Sequence, residues 1–183
     1  MTKRNRPNIA KPRTLAASKT DIQFQMKNLH DASYDLMNHV VFALNHSMDL
    51  KRDGVDPMTP FAIAVNGTEK TIKVFAGDTL EYADNRYERT ILDEKPDFVV
   101  YACDTYLTTD GIKYDAVLFK AYDKRDSEIY LIGQKYRVKT DQVEFEQIGN
   151  PDFLGTEINK FYGQINADKT KGNTSNKSWW KFW

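Results

Sequence analysis

Apolar residues recur at three- and four-residue steps in the first quarter of the chain: Leu29, Ala32, Leu36, Met37, Val40, Val41, Leu44 and Met48. That spacing gathers them on one stripe of a 3.6-residue period and predicts a long amphipathic helix. Asp53-Gly54, followed by Pro57 and Pro60, supplies its stop. The pattern then shifts to strand type. Residues 61–65 and 71–75 are rich in β-formers, and Asn66-Gly67 between them suits a turn with positive φ. The loop reads as slightly longer than two residues.

A second helix is predicted next, with Asp78 as its cap and Glu81 placed to complete a capping box. Leu80, Ala83, Tyr87 and Ile91 share one face of it, and Pro96 closes it. Residues 98–107 and 112–122 flank Thr109-Asp110-Gly111, a hairpin signature. A turn at 123–127 leads to a strand over 128–139. Residues 142–148 alternate Val143, Phe145 and Gln147 with Glu144 and Glu146, as at a sheet edge with one wet face. Connections this short require an antiparallel meander. Asn150-Pro151 is expected to end it, and residues 155–165 to form a short helix using Ile158, Phe161, Tyr162 and Ile165.

The expected fold class is therefore α+β. An antiparallel sheet, made of a hairpin plus a three- or four-strand meander, carries one long and one shorter helix packed on one of its faces. At 183 residues there is material for one such domain, over residues 20–166. Residues 1–19 read as a disordered basic arm, and 167–183 as a flexible linker ending in a Trp-rich peptide.

Charge sharpens that division. Residues 1–20 hold six basic side chains and no acidic one, and residues 167–183 hold four lysines against Asp168. The whole chain sums to zero, so the ends carry +6 and +3 and the body −9. An acidic body repels a phosphate backbone, which leaves weak nucleic-acid binding to the N-terminal arm. The single cysteine, Cys103, excludes an intramolecular disulfide and favours a reducing, cytoplasmic setting. No apolar h-region follows the first basic residues, and no stretch reaches the roughly 20 apolar residues of a membrane span.

All three tryptophans lie in the last five residues, Trp179, Trp180, Lys181, Phe182 and Trp183. Exposed clusters of this kind mark contact surfaces. The peptide is read as partner-binding, by docking in a hydrophobic groove of another protein. Packing on its own domain is the bland alternative. Trp beside Lys also suits a membrane surface, although five residues bury too little for more than weak, salt-dependent contact.

Other constellations carry less. Asp35, His39, His46 and Asp49 form a helical stripe, but the histidines stand seven residues or roughly 10 Å apart, too far to share one metal ion. Asp115, Glu128 and Lys135 resemble scattered parts of a metal-dependent nuclease, yet Gly133 stands where the carboxylate two before the lysine is needed. Gln134 would point to the other side of the strand. Cys103 lies in a predicted central strand, where a thiol behaves as a small hydrophobe, and the three histidines lie in or beside the first helix, so a Cys-His pair depends on how the two pack. Glu81, Asp84 and Glu88 read as a solvated stripe, and the sheet tyrosines as half-buried packing. No catalytic residue, metal ligand or cofactor is assigned. The expected function is a non-enzymatic binding or adaptor protein that recruits partners through its tails. A small hydrolase or nuclease-like enzyme with a helix–sheet pocket is the alternative.

Overall fold

The computed structural model describes residues 28–140 and 143–163. The N-terminal arm and the aromatic tail lie outside them. The first helix, α1, spans Tyr34–Arg52 and is preceded by a single 3-10 turn, Leu29–Asp31. Periodicity alone joins the two, but Ser33 separates them. Its backbone is extended (ψ 146°), and its side chain caps α1 by accepting the Leu36 N–H at 3.3 Å. Leu36, Val40, Ala43, Leu44 and Met48 form the buried stripe. Asp35 in the first turn and Lys51 and Arg52 in the last suit the helix dipole.

Strands β1 (Phe61–Asn66) and β2 (Glu69–Val74) form the expected hairpin. Asn66 pairs with Glu69, so the loop is the two residues Gly67-Thr68 rather than a longer one. Gly67 has φ 59°, and its N–H donates to Asp97. The second helix, α2, covers Leu80–Glu94. Thr79, not Asp78, is its cap: the Thr79 hydroxyl accepts the Tyr82 N–H at 3.2 Å. Lys95 ends it at φ 49°, immediately before Pro96.

The remaining strands are β3 (Phe98–Thr109), β4 (Ile112–Asp123), β5 (Glu128–Arg137) and β6 (Glu146–Ile158). All pairings are antiparallel, in the order β2-β1-β3-β4-β5-β6. The fold is α+β. Thr109 pairs with Ile112 across Asp110 and Gly111, both at positive φ (52° and 77°), the geometry that lets two long strands continue their twist through a two-residue turn.

The two helices do not share a face. Phe61, Ile63 and Val65 of β1 and Phe98, Val100 and Ala102 of β3 pack with α1. The alternate residues Ala62, Val99, Tyr101 and Cys103 pack with Ala83, Tyr87 and Ile91 of α2. Period-2 alternation makes this unavoidable once both sets are apolar: the strand must be covered on both sides. The sheet is thus a middle layer, with α1 on one face and α2 on the other.

The end of the chain differs from expectation. Residues 155–158 belong to β6, not to a helix, and the strand runs through Asn150-Pro151. Pro151 is tolerated because β6 is an edge strand with no ladder to donate to on its outer side. Register shifts between Leu131 and Ile132 and between Gly133 and Lys135 bend β6 against β5. Past Ile158, Asn159 fixes the exit by donating to the Asp126 carbonyl at 2.7 Å and accepting from the Phe161 N–H at 3.1 Å. Phe161 is buried on the α2 side against Tyr122, with ring centroids 6.2 Å apart.

Candidate functional site

Lys51 extends the apolar stripe of α1 by one step beyond Met48 and is pulled into the core by it. Its side chain is 1% exposed, and Nζ donates to Asp104 at 2.7 Å and to Asp56 at 2.9 Å, with the Tyr136 ring centroid 5.1 Å away. Burial works to lower its pKa, but the bonds from Asp104 and Asp56 outweigh it and raise the pKa above the ordinary lysine value. Burial pushes Tyr136 up to about 12, against the pull of the ammonium. Asp104 also accepts the Met58 N–H at 2.6 Å, while its Oδ1 is buried without a partner among the described residues. Beside this centre a cavity of about 310 Å³ is lined by Asp56, Asp104, Asp115, Tyr106 and Tyr136. Lys51 is thus a fixed cation that neutralises inward-facing carboxylates. A lysine held protonated is neither a nucleophile nor a base.

The α2 face is built differently, because α2 covers only part of the sheet. Next to the helix lies a cavity of about 250 Å³ between α2, the β4–β6 strands and Phe161. Tyr87 lines it: the ring is buried and tilted on Tyr101 at 5.2 Å, and its hydroxyl has no partner among the described residues. Burial, and then the charge of Glu157, raises its pKa, so the phenol stays neutral. Asp84 and Glu88 also line this cavity and reach Lys120 (3.6 Å) and Lys160 (2.5 Å). Two members of the α2 acidic stripe are therefore part of a cavity wall and not simply a solvated face.

Beyond α2, the same face of the sheet carries Leu107, Leu118, Leu131 and Leu154 from four successive strands. The register places Leu107, Leu118 and Leu131 there, alternating with residues of the α1 core. Gly133 lies between: a Cβ built on it would stand 2.5 Å from a Leu107 methyl and 3.1 Å from a Leu154 methyl. Leu154 is 41% exposed, while Leu107, Leu118 and Leu131 are half-buried. The result is a shallow apolar surface with no helix over it.

The other residues singled out by sequence are separated. His39 and His46 each pack on a phenyl ring, Phe98 at 5.2 Å and Phe61 at 5.0 Å. Desolvation and then Lys70 lower the His39 pKa. Among the described residues no group of three His, Cys, Asp or Glu side chains could hold a metal ion. Asp115 faces the α1 side with Tyr136, whereas Lys135 faces the α2 side and pairs with Asp152 at 3.0 Å. Glu128 stands at the opposite end of β5. Gln134 is buried, donating to the Lys135 and Ile148 carbonyls. Cys103 lies under α2, across the sheet from the histidines of α1, and burial pushes its thiol up to about 11. Tyr101, Tyr122, Tyr130 and Tyr136 are core residues rather than a stacking platform. The tail residues Trp179, Trp180, Lys181, Phe182 and Trp183 lie outside the described residues.

No helix among the described residues is long and apolar enough to cross a membrane. Comparison with known proteins finds no matching family model, no matching curated protein and no matching solved structure.

Proposed function

We propose that the chain is a non-enzymatic binding protein, an adaptor that recruits a protein partner through the aromatic peptide Trp179, Trp180, Lys181, Phe182 and Trp183. The observation that carries the reading is that all three tryptophans of the chain stand within its last five residues, beside a lysine and a phenylalanine. Such rings supply large contact area at small entropic cost, as binding hot spots do.

The charged groups beside the cavities support a structural role for themselves. Lys51 is engaged by Asp56 and Asp104, Lys120 by Asp84, and Lys135 by Asp152. The single buried thiol supports a reducing, cytoplasmic setting.

The test replaces the four aromatic residues of the tail by serine in the full-length chain. Partner capture from a lysate is expected to vanish while the circular-dichroism melt moves by no more than a few degrees. Capture that survives the replacement refutes the assignment, and so does a domain that fails to fold.

A further inference from the structure

We propose that Asn66 is a site of spontaneous covalent modification, conversion of its side-chain amide to an aspartyl or β-linked aspartyl residue, and that Asp97 restrains the reaction by holding the nitrogen that would attack it.

Asn66-Gly67 is the one Asn-Gly step in the chain. Asn66 ends β1 with its side chain exposed, and Gly67 opens the two-residue loop at φ 59°. Nothing stands within 4 Å of where a Gly67 Cβ would be, so solvent reaches the peptide bond freely. In the reaction, hydroxide takes the proton of the Gly67 N–H. The nitrogen lone pair then forms a bond to Asn66 Cγ, the Cγ–N bond of the carboxamide breaks, and ammonia leaves with a proton from water. Water adds to either carbonyl of the five-membered imide and opens it. One opening gives aspartate at position 66. The other leaves the main chain running through the side-chain carbon. No oxidant or cofactor is needed.

The fold opposes ring closure in two ways. Cyclisation makes the Gly67 nitrogen eclipse Cβ, which needs ψ of roughly −120° at Asn66, whereas extended backbone holds about +135°. The pairing of Asn66 with Glu69 keeps it extended. Separately, the Gly67 N–H donates to Asp97 Oδ2 at 2.6 Å. A carboxylate there occupies the proton that must leave and disfavours the negative nitrogen that would form. Asp97 is well placed to do so. Its own N–H donates to the Val65 carbonyl at 2.8 Å, its carbonyl accepts the Lys124 N–H at 3.1 Å, and its carboxylate pairs with the Lys124 ammonium.

Conversion would change the hairpin. Asn66 shares a cavity wall with Glu69, Lys73 and Glu94, where two carboxylates already face one ammonium, and the product adds a third. The β-linked product also lengthens the main chain by one carbon inside a two-residue loop. The Asn66–Glu69 pair then cannot close in register, and β2 loosens from β1. β2 is all that covers that side of β1, whose residues 61–65 are apolar and buried. Modification therefore uncovers an apolar edge strand.

The test incubates the full chain at mildly alkaline pH and follows residue 66 by peptide mapping, with isoaspartyl methyltransferase labelling to detect the β-linked product. In buffer, conversion at Asn66 is expected to be slower than in urea by roughly tenfold or more, because closure requires local opening of the hairpin. Asp97→Ala removes the acceptor and is expected to speed conversion of the folded chain severalfold. Lys124→Met keeps the acceptor and is expected to change the rate far less. Asn66→Gln, which would need a six-membered ring, is expected to abolish conversion at this position. The converted fraction, separated by ion exchange, is expected to melt below the parent. Should Asp97→Ala fail to fold, Asp97→Asn removes the charge and keeps the shape, and the same acceleration is expected of it. Conversion in buffer as fast as in urea overturns the proposal, as does a rate that ignores Asp97. Equal acceleration by Lys124→Met assigns the effect to general loosening of the hairpin and also overturns the role of Asp97.

Discussion

Replacing Lys51 by methionine removes an ammonium that stands 2.7 Å from Asp104 and 2.9 Å from Asp56, while keeping an unbranched side chain in the α1 stripe. Taking one partner from a buried ion pair costs about 3–5 kcal/mol, because the other charge is left uncompensated. Two features lower that figure here. Asp104 keeps the Met58 N–H at 2.6 Å and is 23% exposed, and Asp56, 48% exposed, can rehydrate. A loss of about 2–3 kcal/mol is expected, or roughly 4–12 °C in Tm for a domain of this size. Urea denaturation followed by far-ultraviolet circular dichroism is the suitable assay, since the tryptophans report on the tail. Pairing Lys51→Met with Asp104→Leu exchanges both charges for apolar groups. The double variant is expected to regain much of the loss, giving a coupling energy of about 1.5 kcal/mol or more. The pH dependence has a definite sign. Because the folded-state pKa of Lys51 is raised, its contribution is complete below the unfolded value of about 10.4 and disappears as pH climbs through the folded value. The gap between wild type and Lys51→Met is therefore expected to narrow only in strong alkali. A variant within about 0.5 kcal/mol of wild type, or single losses that simply add, refutes the assignment of Lys51 as the counter-ion of this core.

Further outcomes follow from the same geometry. Burial works to raise the Asp123 pKa, but the Arg125 side chain and N–H and the Ser33 hydroxyl hold it below the ordinary carboxylate value. Its contribution is present above the unfolded value of about 3.9 and is lost as pH falls through the folded one, so Asp123→Asn is expected to flatten the acid limb of the stability curve. Cys103, buried and pushed up to about 11, is expected to react with iodoacetamide at neutral pH only at the rate of local opening, which alkylation in urea compared with buffer will measure. Gly111→Ala places a side chain at φ 77° and is expected to cost about 1–2 kcal/mol by thermal melt. Gly133→Ala meets only the ends of Leu107 and Leu154, and a cost of about 1 kcal/mol is expected by thermal melt.

Much of the architecture could be read from residue pattern. The α1 stripe, the turns at Gly67 and at Asp110-Gly111 and the three long strands all follow local rules that the structure obeys, although the first turn falls one residue later than Asn66-Gly67. The division of the helices between two faces was also written in the chain. Residues 98–103 are apolar without interruption, the mark of a strand covered on both sides, whereas a strand with one wet face alternates. Local rules failed at β6. Ile158, Phe161 and Ile165 have helical spacing, but pairing of Glu157 with Ile129 and Thr156 with Tyr130 extends the strand, and tertiary hydrogen bonding overrides a weak period. The Lys51 centre left a signal that hydrophobic scanning passes over: a lysine at the next step of the stripe after Leu44 and Met48, and Asp104 in register with the inward-facing Val100 and Ala102. The open half of the α2 face could not be read from pattern at all. It depends on where a fifteen-residue helix stops across a sheet of six strands, which no local sequence states.

A calorimetric comparison of the full chain with one truncated after residue 166 bears most directly on the idea that packing is complete without the terminal aromatics. Two-state transitions of the two chains with midpoints within a few degrees of each other are the expected result. Loss of the cooperative transition on truncation would mean that the tryptophans are part of the core, and the account would fail at its foundation.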